Sequence, residues 1–379
     1  MNEPMNPSDI CMHLGDDYDR YLGAIVPPLF QNTLFTRKTR NQGYRYSRIN
    51  NPTVDILEAK LAALEHAEAA RVFSSGMGAI SATLVSLLKA GDHAVVLRCC
   101  YNPVCRFFTD VLSRFGVSVT FIEHGTPEEW ERAIRPETKL FYFESPASNI
   151  FRILDIRAVT ALAKAHGITT AIDNTWATPL YQNPIDLGVD YVLHSATKYL
   201  GGHSDVTAGV VMGPKAPLDA MLEGERGLFG ASLDPFAAWL LIRSLRTLEV
   251  RMQRHSENAA AVAELLSRSG KVKQVFYPGL PTHEGYEIAC RQMRGFSGLM
   301  SFVLDVDDER AMAFAKGLPF FQEGPSWGGF ESVLNTPGIH ADPAVRAFEC
   351  IPEGLIRISV GLESRESLLD AFEQSLKKL

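Results

Sequence analysis

The chain has 379 residues, 46% of them hydrophobic and 21% charged, a size that predicts two domains or one large domain with an appendage. This composition excludes a disordered, collagen-like or coiled-coil protein. A net charge of −7, from 37 Lys+Arg against 44 Asp+Glu, argues against a bare electrostatic nucleic-acid binder, and no apolar run approaches the ~20 residues of a membrane span.

The first residues, Met1-Asn2-Glu3-Pro4-Met5-Asn6-Pro7, carry neither a basic n-region nor an apolar h-region, so no secretory signal is expected. Residues 1–50 lack helical period and hold Pro27-Pro28, Gly43 and Asn51-Pro52 at their end, so they read as an extended arm. An arm of that length orders by packing on a neighbouring subunit. From Thr53 the spacing Val54, Leu57, Leu61, Leu64 predicts a helix. Short apolar runs then alternate with amphipathic stretches. Val72-Phe73 leads into Ile80 to Leu88, and His93 to Leu97 leads into a helix over Phe107 to Phe115. Val117 to Ile122, Leu140 to Phe143, Ile168 to Ile172, Tyr191 to His194 and Ala208 to Met212 follow as strands, with a helix over Val159 to His166 among them.

That alternation predicts βαβ units and a mainly parallel sheet covered on both faces. It stops near 215–245, where Trp239 to Leu248 and Asn258 to Leu266 read as long helices. Val272 to Tyr277, Gly298 to Leu304 and Ile356 to Gly361 then read as strands, with helices near Ala311 to Ala315 and Ser367 to Leu376. The expected plan is an arm (1–50), an α/β domain (51–242) and a smaller α+β domain (243–379).

The six cysteines, Cys11, Cys99, Cys100, Cys105, Cys290 and Cys350, form no Cys-x-x-Cys pair, and no zinc-finger spacing or other metal site is expected. Adjacent Cys99 and Cys100 are poorly placed to bridge each other. The six read as reduced thiols of a cytoplasmic protein. Cys105, two residues past Pro103 at a helix start, is the best catalytic-thiol candidate. His203 reads as a loop histidine, His255 as a helix-surface histidine, and the acidic run Asp305 to Glu309 as a solvated loop without the EF-hand glycine.

In open α/β sheets ligands gather at the carboxyl ends of strands. Four loops there carry chemistry. Ser74-Ser75-Gly76-Met77-Gly78 follows a strand and opens a helix, which suits either an anion at the helix N-terminus or tight packing with an N-cap. It is neither a Walker A loop nor a dinucleotide fingerprint, since Ser81 stands where the third glycine belongs. Asp173-Asn174-Thr175 puts a carboxylate at a strand end, either functional or capping. Ser195-Ala196-Thr197-Lys198 places a lysine between an apolar strand and Tyr199-Leu200-Gly201-Gly202. Partial burial there lowers the amine pKa and makes it a usable nucleophile, while a surface position leaves it solvated. Tyr101 follows the strand His93 to Leu97 and either packs in the core or stacks on a flat ring. A phosphate cradle, an amine, a carboxylate and a stacking ring together are what pyridoxal 5′-phosphate requires.

With these residues in view, the chain resembles the Cys/Met-metabolism family of pyridoxal-phosphate enzymes, from about Gly23 to the carboxy terminus. The family includes cystathionine γ-synthases, cystathionine β- and γ-lyases, methionine γ-lyases and homoserine sulfhydrylases. The matching motifs are Tyr46-Ser47-Arg48 with Asn51-Pro52-Thr53, Ser75-Gly76-Met77, Asp173-Asn174-Thr175-Trp176, Ser195 to Leu200, Gly202 to Asp205, Arg243 to Leu248, Ser326 to Gly329 and Arg357 to Glu363. The resemblance implies a fold-type I, aspartate-aminotransferase-like α/β architecture and a homotetramer built as a dimer of dimers. It implies that Lys198 holds the cofactor as a Schiff base and shuttles protons, that Asp173 pairs with the pyridine nitrogen, and that Tyr101 stacks on the ring and assists proton transfer. Gly76, Met77, Ser195 and Thr197 would bind the phosphate, joined by Tyr46 and Arg48 from the neighbouring subunit. Arg357 would clamp the substrate α-carboxylate as a two-pronged donor, and Ser326 would help orient the substrate.

Within that family several features resemble bacterial cystathionine β-lyases: Trp327 after Ser326, Ser148 in Glu144-Ser145-Pro146-Ala147-Ser148 where many relatives place a substrate-contacting asparagine, Trp176, and Tyr101-Asn102-Pro103. Pro325 stands where γ-lyases and γ-synthases carry glutamate. Tyr46-Ser47-Arg48 with Asn51-Pro52-Thr53, however, looks like the γ-synthase and γ-lyase branch. The implied reaction is C–S β-elimination of a sulfur amino acid, taking cystathionine to homocysteine, pyruvate and ammonia; γ-elimination or γ-replacement is the alternative. A nicotinamide-dependent dehydrogenase would leave Lys198 and Arg357 unexplained, and a non-catalytic pyridoxal-phosphate-binding regulator that kept the fold is the remaining rival.

Overall fold

The computed structural model describes residues 5–37, 43–339 and 341–379. Seven strands form the first sheet: β1 (Ala69–Phe73), β2 (His93–Leu97), β3 (Ser118–Ile122), β4 (Thr138–Glu144), β5 (Thr169–Asp173), β6 (Tyr191–His194) and β7 (Gly209–Gly213). Their order is β1-β7-β6-β5-β4-β2-β3. The core of the sheet, from β3 through β6, is parallel, but β7 runs antiparallel to both β6 and β1. Every residue of β1, β2, β6 and β7 is buried, as expected of strands covered on both faces. β3 lies on one side of β2 and β4 on the other, so the strand order reverses at β2 and opens a crevice at the carboxyl ends between β2 and β4.

A second, five-stranded sheet holds β8 (Val272–Phe276), β9 (Leu299–Leu304), β10 (Gln322–Glu323), β11 (Val333–Asn335) and β12 (Leu355–Ser359) in the order β10-β11-β12-β9-β8. The apolar core around the first sheet takes residues up to Met252. The second core runs from Ala259 to Leu376 and recruits Phe151, Ile153, Trp176 and Ala177 from the loops after β4 and β5. Those loops therefore lie where the two sheets meet. The expected boundary at 242/243 falls inside the helix Pro235–Leu245.

Several elements depart from the sequence-based expectations. The arm is not wholly extended: Pro7–His13 is a helix, capped by the Asn6 side chain accepting from Asp9 N–H and held by buried Lys60, whose ammonium donates to the Ile10 and Cys11 carbonyls. Seven residues are too few for an apolar period to show. The single helix expected over Phe107 to Phe115 is an α-helical turn at Asn102–Arg106, then a π-helical turn at Phe107–Val111, then a 3₁₀ turn at Leu112–Phe115. His255 is not on a helix surface. It is fully buried, with its Nδ1 2.7 Å from the Val360 carbonyl, on the stripe Met252, His255, Ala259, Val262, Leu266 of the helix Leu248–Ser267. Burial depresses its pKa to about 4. None of the described helices is long and apolar enough to cross a membrane.

Candidate active site

A cavity of about 400 Å³ opens at the carboxyl ends of β2, β4, β5 and β6, closed on its far side by the second sheet. It gathers Gly76, Met77, Tyr101, Ser148, Asp173, Ser195, Thr197, Lys198, Ser326, Trp327 and Arg357, eleven of the thirteen expected site residues.

The anion end is built at the start of the helix Gly76–Leu87. Ser75 caps it, its hydroxyl accepting from Gly78 N–H at 3.0 Å. Such a cap stabilises a helix by ~1 kcal/mol and leaves the first-turn N–H groups aimed into the cavity. Gly76 lets the loop approach Ser195 closely: a Cβ would stand 3.0 Å from the Ser195 Cβ and 3.1 Å from its Oγ, so Ser195 would have to give by a few tenths of an ångström. Behind it, a Cβ on Gly209 would lie 2.2 Å from the Ser75 carbonyl oxygen, so β7 backs directly onto the loop. Ser195 N–H donates to Thr175 Oγ1 at 2.8 Å, and the Thr197 hydroxyl is tied to the Ala208 backbone, which fixes both hydroxyl-bearing residues beside the helix start. The result is a preformed pocket of N–H and O–H donors at the positive end of a helix dipole.

Lys198 stands on the turn after β6. Tyr199, fully buried beside it, accepts from Gly298 N–H and packs its ring 5.5 Å from Trp327, which pins the turn to the second sheet. The Lys198 ammonium donates to Ser326 Oγ at 2.7 Å and lies 5.5 Å from the Trp327 ring centroid. Its pKa is pushed down to about 8, first by burial and then by the Arg357 charge, with Asp173 opposing. A substantial free-amine fraction at neutral pH follows.

Asp173 ends β5 and Glu144 ends β4, and the two are direct partners in the sheet register. Asp173 is open to the cavity but otherwise enclosed by protein. It accepts from Thr175 N–H at 2.9 Å and from the Thr175 hydroxyl. Glu144 accepts from Tyr101 N–H at 2.6 Å and from the Ser148 hydroxyl at 3.1 Å. Burial raises both carboxyl pKa values, Glu144 to about 8 with Asp173 as the second cause. Glu144 is the cavity residue that sequence reasoning missed. The signal was available, since the strand-end rule that singled out Asp173 applies equally to the carboxylate after Leu140 to Phe143.

Tyr101 caps the short helix after β2 and is half-exposed, its ring facing the cavity rather than the core. Arg357, central on β12 between Asn335 and Ser301, reaches over to donate to the Pro325 carbonyl at 2.8 Å. Tyr46 and Arg48 do not line the cavity. Arg48 donates to the Gly227 carbonyl at 2.6 Å and sits 5.6 Å over the exposed Tyr46 ring, on the outer surface of the same chain. Cys105 is buried behind Tyr101 with its thiol pushed up to about 12 by burial, which removes it as a nucleophile. Chemically, the cavity can hold a phosphate at one end, a ring cation over Asp173, and a carboxylate at Arg357, with one activatable amine between them.

Comparison with known proteins agrees with that inventory. Residues 8–377 match the model of the Cys/Met metabolism PLP-dependent enzyme family. The chain is 40% identical over 381 residues to an L-methionine gamma-lyase of Pseudomonas putida, covering 97% of this chain and 96% of that protein. It is also 40% identical over 373 residues to a cystathionine beta-lyase of Lactococcus lactis subsp. cremoris, covering 97% and 98%. Among solved structures, the cystathionine gamma synthase of Xanthomonas oryzae pv. oryzae in complex with aminoacrylate and cysteine superposes with a TM-score of 0.95, at 37% identity and 99% coverage of both chains.

Proposed function

Because this chain belongs to the Cys/Met metabolism PLP-dependent enzymes, and so is a pyridoxal-phosphate enzyme of sulfur-amino-acid chemistry, we propose that it is a carbon–sulfur lyase eliminating a thiol from the β-carbon of its substrate. Bound cofactor supplies a cationic ring that takes up the negative charge developing at the substrate α-carbon. The chain's residues do the rest. The N–H groups of Gly76 and Met77 and the hydroxyls of Ser195 and Thr197 would hold the phosphate. Asp173 keeps the ring nitrogen protonated, because an opposite charge within ~4–6 Å raises that nitrogen's pKa. Tyr101 covers the ring face. Lys198 would carry the covalent link to the cofactor, and its Nζ would accept the α-proton, with the Ser326 hydroxyl, which accepts from that amine at 2.7 Å, holding it in place. Arg357 receives the α-carboxylate, exchanging its Pro325 carbonyl contact for a stronger charge-assisted pair. A proton for the departing sulfur comes from Lys198 or the Tyr101 hydroxyl. Tyr46 and Arg48 reach the phosphate of a neighbouring subunit in a cytoplasmic homotetramer.

The observation that carries the β-reading is the wall beyond Lys198, made by Pro325, Trp327, Phe151 and Leu299. The carboxylates of this cavity, Asp173 and Glu144, are both on its floor. Among the described residues that line it, the far wall therefore offers a neutral thioether an apolar seat and no acidic partner for a distal ammonium, since Pro325 stands where the resemblance gives γ-lyases and γ-synthases a glutamate. One observation favours γ-elimination instead: the same wall suits the methyl thioether of methionine, the substrate in the name of the Pseudomonas relative. Incubating the enzyme with cystathionine, cystine, methionine and O-acylated homoserines and measuring keto acids separates the two. Pyruvate is expected to dominate, and predominant 2-oxobutyrate would overturn the β-assignment.

A further inference from the structure

Three segments meet beside the cavity mouth. One is the loop after β2, residues 98–102, which carries Tyr101. The second is the loop after β4, residues 147–152, which carries Ser148. The third is 347–350, at the end of the helix Pro343–Phe348. They are closely tied. Ser148 N–H donates to the Cys99 carbonyl at 3.0 Å, and the Asn102 amide donates to the Glu349 carboxylate. The Asn149 amide donates to the Glu349 carbonyl at 3.2 Å. The Arg98 guanidinium donates to the Ala347 carbonyl and lies 5.9 Å over the Phe348 ring. At the centre of this junction the Cys99 and Cys350 sulfurs stand 3.0 Å apart, across 251 residues of chain, both as free thiols. Disulfide sulfurs are ~2.05 Å apart, so about 1 Å of approach separates contact from bond.

Cys350 also sits in a backbone conformation that only glycine adopts without cost, φ +54°. A β-carbon held there in spite of that cost keeps its sulfur turned onto Cys99. Cys99 is buried and Cys350 part-exposed, so one sulfur is reachable from solvent and its partner is shielded. The hydrogen bond from Cys99 first, and then the charges of Arg98 and Arg152, hold the Cys350 thiol below the usual thiol range.

We propose that Cys99 and Cys350 are a reversible thiol–disulfide site that clamps segment 347–350 onto the Tyr101 loop and throttles the cavity. The oxidant is hydrogen peroxide. The Cys350 thiolate attacks the outer peroxide oxygen, the O–O bond breaks, and Cys350 becomes a sulfenic acid as hydroxide leaves and is protonated to water. The Cys99 sulfur then attacks the Cys350 sulfur, the S–O bond breaks, and the Cys99 proton leaves with the oxygen as a second water. Two thiols thus lose two electrons to one peroxide, and a dithiol reductant reverses the change. Closing the last ångström pulls on the Cys99 carbonyl that holds Ser148 and on the chain two residues before Tyr101. Site geometry at that level is worth up to ~10²-fold in rate.

The test treats the reduced, cofactor-loaded enzyme with stoichiometric hydrogen peroxide and maps non-reduced peptides by mass spectrometry, a readout independent of which substrate the enzyme takes. A Cys99–Cys350 cross-link is expected, with kcat/KM lowered about tenfold and restored by dithiothreitol. Cys350→Gly, which suits the left-handed backbone, should abolish both the cross-link and the peroxide response. In Cys99→Ala, Cys350 should stop at the sulfenic acid and be trapped by dimedone. Oxidation confined to exposed Cys290, a cross-link that leaves kcat/KM unchanged, or an unaltered peroxide response in Cys350→Gly would each overturn the proposal.

Discussion

Two groups of buried carboxylates in this fold are resolved in opposite ways. Glu58, under the first sheet, is held between two buried arginines, with Arg71 Nη1 3.0 Å and Arg226 Nη1 2.7 Å away and Val72 N–H donating at 2.9 Å. Its charge is met inside the chain. Asp173 and Glu144 accept only from hydroxyls and backbone N–H groups. The cation whose charge acts on Asp173 is Lys198, whose own ammonium is disfavoured by burial. A carboxylate closed off by arginines is part of the architecture. A carboxylate left short of a cation at the end of a strand is suited to receive one, and the cation proposed for Asp173 is the protonated cofactor ring.

The largest effect expected from this contrast is at Lys198. Lys198→Ala removes the proposed covalent anchor and acid–base group, so turnover should fall by at least ~10³-fold. The visible absorbance of the loaded enzyme should disappear while the fold, followed by circular dichroism, is retained. Residual turnover within tenfold of wild type would remove Lys198 from the centre of the chemistry.

Substituting the two carboxylates should then move stability in opposite directions. Glu58→Gln leaves Arg71 and Arg226 buried beside a neutral amide and should destabilise the cofactor-free protein by about 3–5 kcal/mol. Asp173→Asn keeps the acceptor for Thr175 and removes a charge that burial opposes, so the cofactor-free protein should become more stable, by about 1–3 kcal/mol, while cofactor affinity collapses. Urea unfolding of both cofactor-free variants checks the pair of signs. Equal destabilisation by the two substitutions would erase the distinction.

Much of this was readable before any coordinates, for reasons that lie in particular residues. The strands of the parallel core are continuous apolar runs buried on both faces, His93–Leu97 and Tyr191–His194 among them, so composition alone marks them. Lys198, Asp173 and Gly76 were legible because each directly follows such a run. The strands β10 and β11 were not, being two and three residues long, at one side of the second sheet and mostly exposed or part-exposed. His255 was misplaced because histidine was judged by residue type and not by its position on the stripe shared with Met252 and Val262. The Cys99–Cys350 contact joins residues whose proximity depends on how two sheets pack, and no local pattern encodes that. Tyr46 and Arg48 carry a motif whose proposed function lies in a neighbouring subunit, so their positions on the outer surface say nothing about the cavity they would serve.

The smallest predicted effect sharpens the comparison most, because it depends on pH. Glu144 has its pKa raised from 4.5 to about 8 in the folded protein. Between those values the native state keeps a proton that the unfolded chain has released, so this group makes stability fall as pH rises from about 4.5 to about 8. Lys198 is lowered from 10.5 to about 8, so between about 8 and 10.5 the unfolded chain holds the extra proton and stability rises again. The two contributions meet in a minimum near pH 8 for the cofactor-free protein, with each slope limited to ~1.4 kcal/mol per pH unit for one proton. Glu144→Gln should erase the acidic limb, and the Tm difference between it and wild type should widen steadily from pH 5 to pH 8. A difference flat in pH would mean that Glu144 is ionised in the folded protein and that the cavity floor already carries the charge assigned here to the bound ring.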